Sequence, residues 1–437
     1  MKLPEDHTGV TAAPDSPDAL APVKSTRALW LLSLAIAALG IFLRVIPWAG
    51  FQGVGFDEAL YRNYVVQLDA VGITSYPEIC EAFLKDQRPA ESITKLPPTR
   101  FLYIYSAWLW KRAEFGDQPA LMPGSPNFAQ RDPALLSLHR VSSFFTCLWF
   151  LVGGIAAWRM FGLRALPAVL ALMACAPTQI HFGQHALIDG VMAFWATICV
   201  WLLWENLRQP NRTGWLASYA ACLACMVLTK ENAFFVFVAL CGLIAVNRWA
   251  KFGTVTPRLL VVSVLGPLAG VLLLVSLAGS VGTFVEIYTL LVSKAQGLTY
   301  AIKTGDGPWH RYFVDLMIVE PLVLILAIGG AFTLLRENRA YGYLLAFAAF
   351  SYVVMCNVRF GMNLRYASIW ELPMCALAAG QVARLAQRFA PRQGFALAIA
   401  LLALCAYDLR QYDIFFVDAK LYELVTGGLL HAVKILK

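Results

Sequence analysis

The chain has 437 residues, 59% of them hydrophobic and only 14% charged, far from the about 45–50% apolar and 25% charged mix of a soluble domain. A water-soluble fold could not hide that much apolar surface. The net charge of +8 and pI near 8.9 would suit a nucleic-acid binder if the cations formed one patch, but they sit in short loops between apolar runs, so no nucleic-acid partner is expected.

Apolar runs of about 20 residues recur, each long enough to cross about 30 Å of hydrocarbon at about 1.5 Å per residue. Lipid offers the backbone no partner, so each run must close its own hydrogen bonds as a helix. The expected fold is an all-α integral membrane protein with about eleven transmembrane helices and interfacial helices in the first outer loop.

In chain order, residues 1–27 are rich in Pro, Ala and Asp and read as a disordered cytoplasmic tail. The first apolar run, 28–47, shows no obvious signal-peptidase site and reads as an uncleaved first span. Residues 48–132 are too polar and too broken by Pro to span. Short amphipathic stretches there, such as 101–110, predict helices lying on the membrane surface. Spans follow at 135–158, 165–182, 187–206, 214–229, 232–247 and 258–279. A second polar loop covers 280–315, and further spans are expected at 316–335, 340–357, 366–383 and 394–408. The polytopic domain therefore covers 28–408. A short C-terminal segment, 409–437, has room for one more amphipathic helix.

With the N-terminus in the cytoplasm, five alternate loops place Arg159 and Arg164, Arg208 and Arg212, Arg248, Lys251 and Arg258, Arg336 and Arg339, and Arg384, Arg388 and Arg392 inside. The two polar loops, Asp189 and the turn 359–365 then fall on the outer face. The ten Cys lie mostly inside apolar runs, and Cys222 and Cys225 form a CxxC with no second Cys pair nearby, which reads as helix packing.

Several polar residues stand out on that outer face. Asp57 and Glu58 begin an interfacial helix, where Asp57 serves either as an N-cap or as a base that deprotonates an incoming hydroxyl. Lys95, before Leu96-Pro97-Pro98, reads as a snorkelling cation or a ligand contact. His181, His185 and Asp189 are spaced by four, which would put them on one helical face, either as metal ligands or as ordinary polar residues at a membrane edge. Lys230 and Glu231 occupy a tight outer turn and either pair with each other or serve a site. Arg359 and Arg365 flank an outer turn against the positive-inside trend, and a phosphate ligand would account for both.

Taken with Lys95-Leu96-Pro97-Pro98, His139-Arg140-Val141-Ser142-Ser143, Ala176-Pro177, His185-Ala186-Leu187-Ile188-Asp189, Leu228-Thr229-Lys230, Gly307-Pro308-Trp309-His310 and Leu364-Arg365-Tyr366, the acidic pair resembles the GT-C superfamily of polyprenyl-phosphate-sugar-dependent glycosyltransferases. The likeness runs over 28–385 and is nearest to the protein O-mannosyltransferase and aminoarabinose transferase branch. That branch carries a D-E-x-R-Y pattern, where this chain has Leu60 before Tyr61; Arg62 is the substitute on offer.

The resemblance implies transfer of a hexosyl or pentosyl unit from a polyprenyl-phosphate-linked sugar donor to a glycan, lipid or protein acceptor, with inversion. Asp57 would be the catalytic base, Glu58 a supporting acid and Asp189 a second carboxylate. Lys95, Arg359 and Arg365 would meet the lipid phosphate, with Arg62, Lys230 and Tyr366 as further substrate contacts. No cofactor is required by the motifs, and a divalent metal would be held through Glu58, His181 or His185. The rival reading is a multi-pass transporter or lipid flippase. The ions cluster at one boundary, without a convincing internal repeat, which favours the enzyme. Short loops, and no N-glycosylation acceptor in the clear outer loops, suggest a bacterial inner (plasma) membrane with the site facing the periplasm or exterior.

Overall fold

The computed structural model describes residues 23–46, 54–89, 91–298, 302, 305–358 and 362–436. Among them the chain is helical and contains no strand. The expected N-terminal tail lies outside the described residues over 1–22, and so does Arg359.

Helix α1 (Val23–Val45) leads to three helices of the first polar segment, α2 (Phe56–Val71), α3 (Tyr76–Gln87) and α4 (Phe101–Phe115), and a single turn, α5 (Phe128–Arg131). Then come α6 (Pro133–Phe161), α7 (Leu166–Cys175), α8 (Pro177–Gln184), α9 (Asp189–Arg208), α10 (Thr213–Thr229), α11 (Ala233–Ala250), α12 (Pro257–Ala278) and α13 (Val281–Gly297). The last third holds α14 (Arg311–Val319), α15 (Pro321–Thr333), α16 (Arg339–Cys356), a 3-10 helix (Leu364–Trp370), α17 (Glu371–Phe389), α18 (Gln393–Tyr412) and α19 (Thr426–Ala432).

Helices form at each expected span, yet seven among the described residues are long and apolar enough to cross a membrane, or eight if the bent pair α7–α8 is one span. Helices α10 and α15 are apolar but short, and α17 does not meet the test of length and hydropathy. The expected count of eleven is therefore not established by length and composition. Large apolar side chains such as Leu31, Leu34, Val264, Leu268 and Leu272 stay exposed on α1 and α12, as a lipid-facing surface requires. All ten cysteines are free, with Cys222 buried on α10 as packing.

The helices meet through small residues. A Cβ on Gly266 or Gly270 of α12 would lie 2.7 or 2.8 Å from the carbonyl oxygens of Ala220 or Ala224 on α10, so the two backbones touch. Gly330 of α15 packs as closely on the Leu377 carbonyl of α17.

The bend between α7 and α8 is 58° and follows from Pro177, which has no N–H to continue the ladder. The freed carbonyls need donors, and buried Arg44 at the end of α1 supplies them, reaching Met173 O at 2.7 Å and Ala174 O at 3.3 Å. Its other bonds go to Gly40 O and Gln179 Oε1. One guanidinium thus fastens α1 to the break.

The first polar segment folds onto the N-terminal end of α6. Tyr61, Val65, Leu68, Ile79, Phe83 and Ile104 are buried with Leu135 and Leu138 in a second core. The hydroxyls of Tyr64 and Tyr76 donate to Leu96 O and Pro98 O, fixing the extended Pro97-Pro98 run ahead of α4. Asp132 caps α6 through Leu135 N at 2.8 Å. The N-termini of α2 and α9 thereby meet the 230–232 turn, the 3-10 helix and the returning C-terminal segment.

Candidate active site

Helix α2 starts at Gly55, and the capping is done by Glu58, not Asp57. Glu58 Oε2 accepts the Gly55 N–H at 2.8 Å, and its Oε1 accepts the Ala186 N–H at 2.9 Å. Both oxygens therefore hold backbone, joining the start of α2 to the turn before α9. Burial opposes the Glu58 charge, but His185, His139 and the Gly55 N–H outweigh it and hold the carboxyl down at about 2.

With capping taken over, Asp57 is free to point elsewhere. Its Oδ2 accepts from Arg365 Nη2 at 2.9 Å. Arg365 lies in the 3-10 helix, whose start is fixed by Asn363 Oδ1 accepting the Arg365 N–H. The same guanidinium has Asp189 Oδ2 at 3.5 Å from Nε and Glu423 Oε1 at 3.3 Å from Nη1. Burial disfavours the cation, yet Asp189, Asp57 and Glu423 hold it charged, well above its ordinary value.

Asp189, the first residue of α9, also accepts from Lys230 Nζ at 2.7 Å. Lys230 Nζ in turn lies 4.3 Å from the centre of the Tyr366 ring, a cation–π contact in a buried setting. Lys230 and Glu231 do not pair with each other, because the extended backbone at Lys230 sends the neighbouring side chains apart. Glu231 takes Arg100 through both oxygens, and Arg100 also donates to the Tyr61 hydroxyl.

Of the expected residues, the structure brings together Asp57, Asp189, Lys230, Arg365 and Tyr366, with Glu58 behind them. Lys95 stands apart, half-buried and paired with Asp86. Arg62 is spent on structure, donating to both Asp132 oxygens at 3.3 and 2.9 Å and to Leu121 O. His181, His185 and Asp189 do not share one helical face, because α8 ends at Gln184 and His185 is extended, φ −121° and ψ 156°. The two His rings are still neighbours, 4.6 Å between centres.

The expected metal ligands do not fit that role. Both Glu58 oxygens are taken by backbone, His181 Nε2 lies 3.2 Å from Tyr422 O, and among the described residues no three His, Cys, Asp or Glu side chains are placed to hold an ion.

Sequence reasoning missed Arg100, Glu231 as its partner, Tyr422 and Glu423. Arg100 had a signal: a cation at the N-cap of α4 opposes the helix dipole. Tyr422 and Glu423 had none, lying beyond the last span. Tyr422 packs on Gly55, where a Cβ would come within 2.3 Å of its ring. The space among Asp189, Lys230, Asn232, Arg365 and Tyr366 is only about 10 Å³, room for a single water.

The overall fold is similar to that of several solved structures. ArnT from Cupriavidus metallidurans bound to undecaprenyl phosphate superposes with a TM-score of 0.54 at 17% identity, over 92% of this chain and 66% of that one. The apo oligosaccharyltransferase of Archaeoglobus fulgidus gives a TM-score of 0.58 at 13% identity, over 88% of this chain and 55% of that one. AglB of the same organism, in complex with an inhibitory peptide and a dolichol-phosphate, gives 0.55 at 14% identity, over 90% and 56%. This chain therefore spans less than two thirds of the length of these structures. No protein-family model matches it, and no curated protein does.

Proposed function

We propose that the chain is a membrane glycosyltransferase that moves a hexosyl or pentosyl unit from a polyprenyl-phosphate donor to an acceptor hydroxyl, with inversion. The observation that carries this reading is the Asp57–Arg365 pair, a carboxylate and a cation held 2.9 Å apart at one end of a GT-C fold. ArnT with undecaprenyl phosphate and AglB with a dolichol-phosphate support a lipid-phosphate donor by analogy of fold alone.

In this reading Asp57 takes the proton of the acceptor hydroxyl as its oxygen attacks the anomeric carbon. The bond from that carbon to the phosphate oxygen breaks, and the lipid phosphate leaves with the electron pair. Arg365 and Lys230 stabilise the charge that grows on the departing phosphate. Arg365 serves both ends of the reaction: its Nη2 orients the base, while Nε lies by Asp189 and Nη1 by Glu423. An apolar carrier with a wet sugar end also explains why such chemistry belongs in a bilayer. A bacterial inner membrane with an outward-facing site fits the positive-inside pattern of the loops.

The test is sugar transfer in vesicles supplied with radiolabelled polyprenyl-phosphate sugars and cell-envelope extract, comparing native protein with Asp57→Asn. Transfer by the native protein alone supports the reading, and equal transfer by both removes Asp57 as the base.

A further inference from the structure

Arg365 is buried, and its Nε and Nη1 atoms make no hydrogen bond. The groups opposite them are carboxylates at ion-pair range, Asp189 at 3.5 Å and Glu423 at 3.3 Å. The five groups Asp57, Asp189, Glu423, Arg365 and Lys230 sum to one negative charge. An incoming phosphate would add more of the same sign, so one resident carboxylate has to leave.

The three carboxylates differ in how firmly they are held. Asp189 is 3% exposed and shared with Lys230, and Asp57 is 11% exposed in the first turn of a helix with a direct hydrogen bond to Nη2. Glu423 is 27% exposed and makes no hydrogen bond to Arg365. It sits on a stretch between Ala419 and Val425 that has no helix of its own. Its second oxygen already accepts from Asn363 Nδ2 at 3.0 Å, which gives it a resting place off the guanidinium. Burial raises the Glu423 carboxyl above its ordinary value in spite of Arg365, which eases the loss of its charge.

We infer that Glu423 is a placeholder for the donor's phosphate: it occupies the Nη1 edge of Arg365 and gives up that contact, keeping its bond to Asn363, when the phosphate arrives. This rests on the glycosyltransferase reading above and adds to it a resident anion that competes with substrate. The displaced contact is at Nη1 and the Asp57 bond is at Nη2, so the phosphate can replace Glu423 with the bond to the base kept. Glu423 is a positioning residue, since it touches neither acceptor nor sugar.

The experiment measures undecaprenyl phosphate binding to the full chain in lipid nanodiscs for native protein, Glu423→Gln, Glu423→Ala and Arg365→Gln, with folding checked by thermal melting. Both Glu423 variants should bind roughly fivefold tighter than native, the effect of removing one partly exposed competing ion pair. Arg365→Gln should lose binding. Unchanged or weaker binding in folded Glu423 variants, alongside loss in Arg365→Gln, overturns the placeholder and leaves the phosphate site standing. Native-like binding by Arg365→Gln, or no binding by any form, overturns the phosphate site as well.

Discussion

The Arg365 guanidinium donates to the Asp57 carboxylate across 308 residues of chain, so the start of the first polar segment and the turn before α17 close on each other at one point. That closure depends on Glu58, which takes the capping duty and the Ala186 N–H and leaves Asp57 unoccupied by backbone. A pair of adjacent carboxylates thus divides its labour, Glu58 holding backbone and Asp57 holding Arg365.

Replacing Asp57 with Asn keeps the shape and removes the proposed proton acceptor. Transfer should fall by about a hundredfold or more, the range for a lost general base, with donor binding little changed. Initial rates in vesicles across donor concentrations separate the two: a rise in KM with kcat intact would assign Asp57 to substrate binding.

Lys230 and Asp189 are both buried, 2.7 Å apart. Breaking a buried pair strands the partner charge, at about 3–5 kcal/mol when nothing else compensates it. Lys230→Met leaves Asp189 with Arg365 at 3.5 Å, so its cost should fall below that range. Asp189→Asn strands one cation and weakens the hold on a second, and should cost more. Denaturation of both variants and of the double variant in mild detergent checks the order, and the double variant should lose less than the sum. Equal single losses that simply add would show that the pair is not coupled.

The fold was legible because apolar length and polar breaks are local properties: α1, α6, α9, α11, α12, α16 and α18 can be read from hydropathy alone. Helix α17 escapes that test because it begins with buried Glu371 and ends among cations. Asp57, Asp189, Lys230, Arg365 and Tyr366 were legible as ions or aromatics at span ends on one face. The failures came from partners. A sequence shows that Arg62 follows Tyr61 but not that Asp132 will claim it, and four-residue spacing aligned His181, His185 and Asp189 only while a helix was assumed to continue through His185. Glu423 is nonlocal in the strongest sense, since only the return of the C-terminal segment brings it to Arg365.

Glu58 gives a pH signature. Its carboxyl lies at about 2 in the fold against an ordinary 4.5, so the folded state binds this proton less readily than the unfolded one. The stabilisation is full above about pH 4.5 and is lost as pH falls through about 2. Glu58→Gln should therefore lower stability at neutral pH by about 3 kcal/mol, and the gap to native should narrow as pH falls from about 4.5 towards about 2. Melting temperatures in detergent over that range decide it: a gap that stays constant would mean Glu58 acts through shape rather than charge.

Gly55 tests whether the C-terminal segment is the yielding part of the site. A methyl group there would lie 2.3 Å from Tyr422 Cζ, a clash that either α2 or the segment must relieve. Helix α2 is fixed by Glu58, by the Arg62–Asp132 pair and by the buried Tyr61 and Leu68, whereas Tyr422 meets the clash with the far end of its ring. The segment should give way, carrying Glu423 with it. Lys420, exposed and at φ +53°, then becomes a better trypsin site, and Gly55→Ala should be cut there roughly tenfold faster than native, in line with cheaper local opening. Unchanged cleavage with a lowered melting temperature would instead show that α2 moved, and would place the rigid wall of the site in the C-terminal segment.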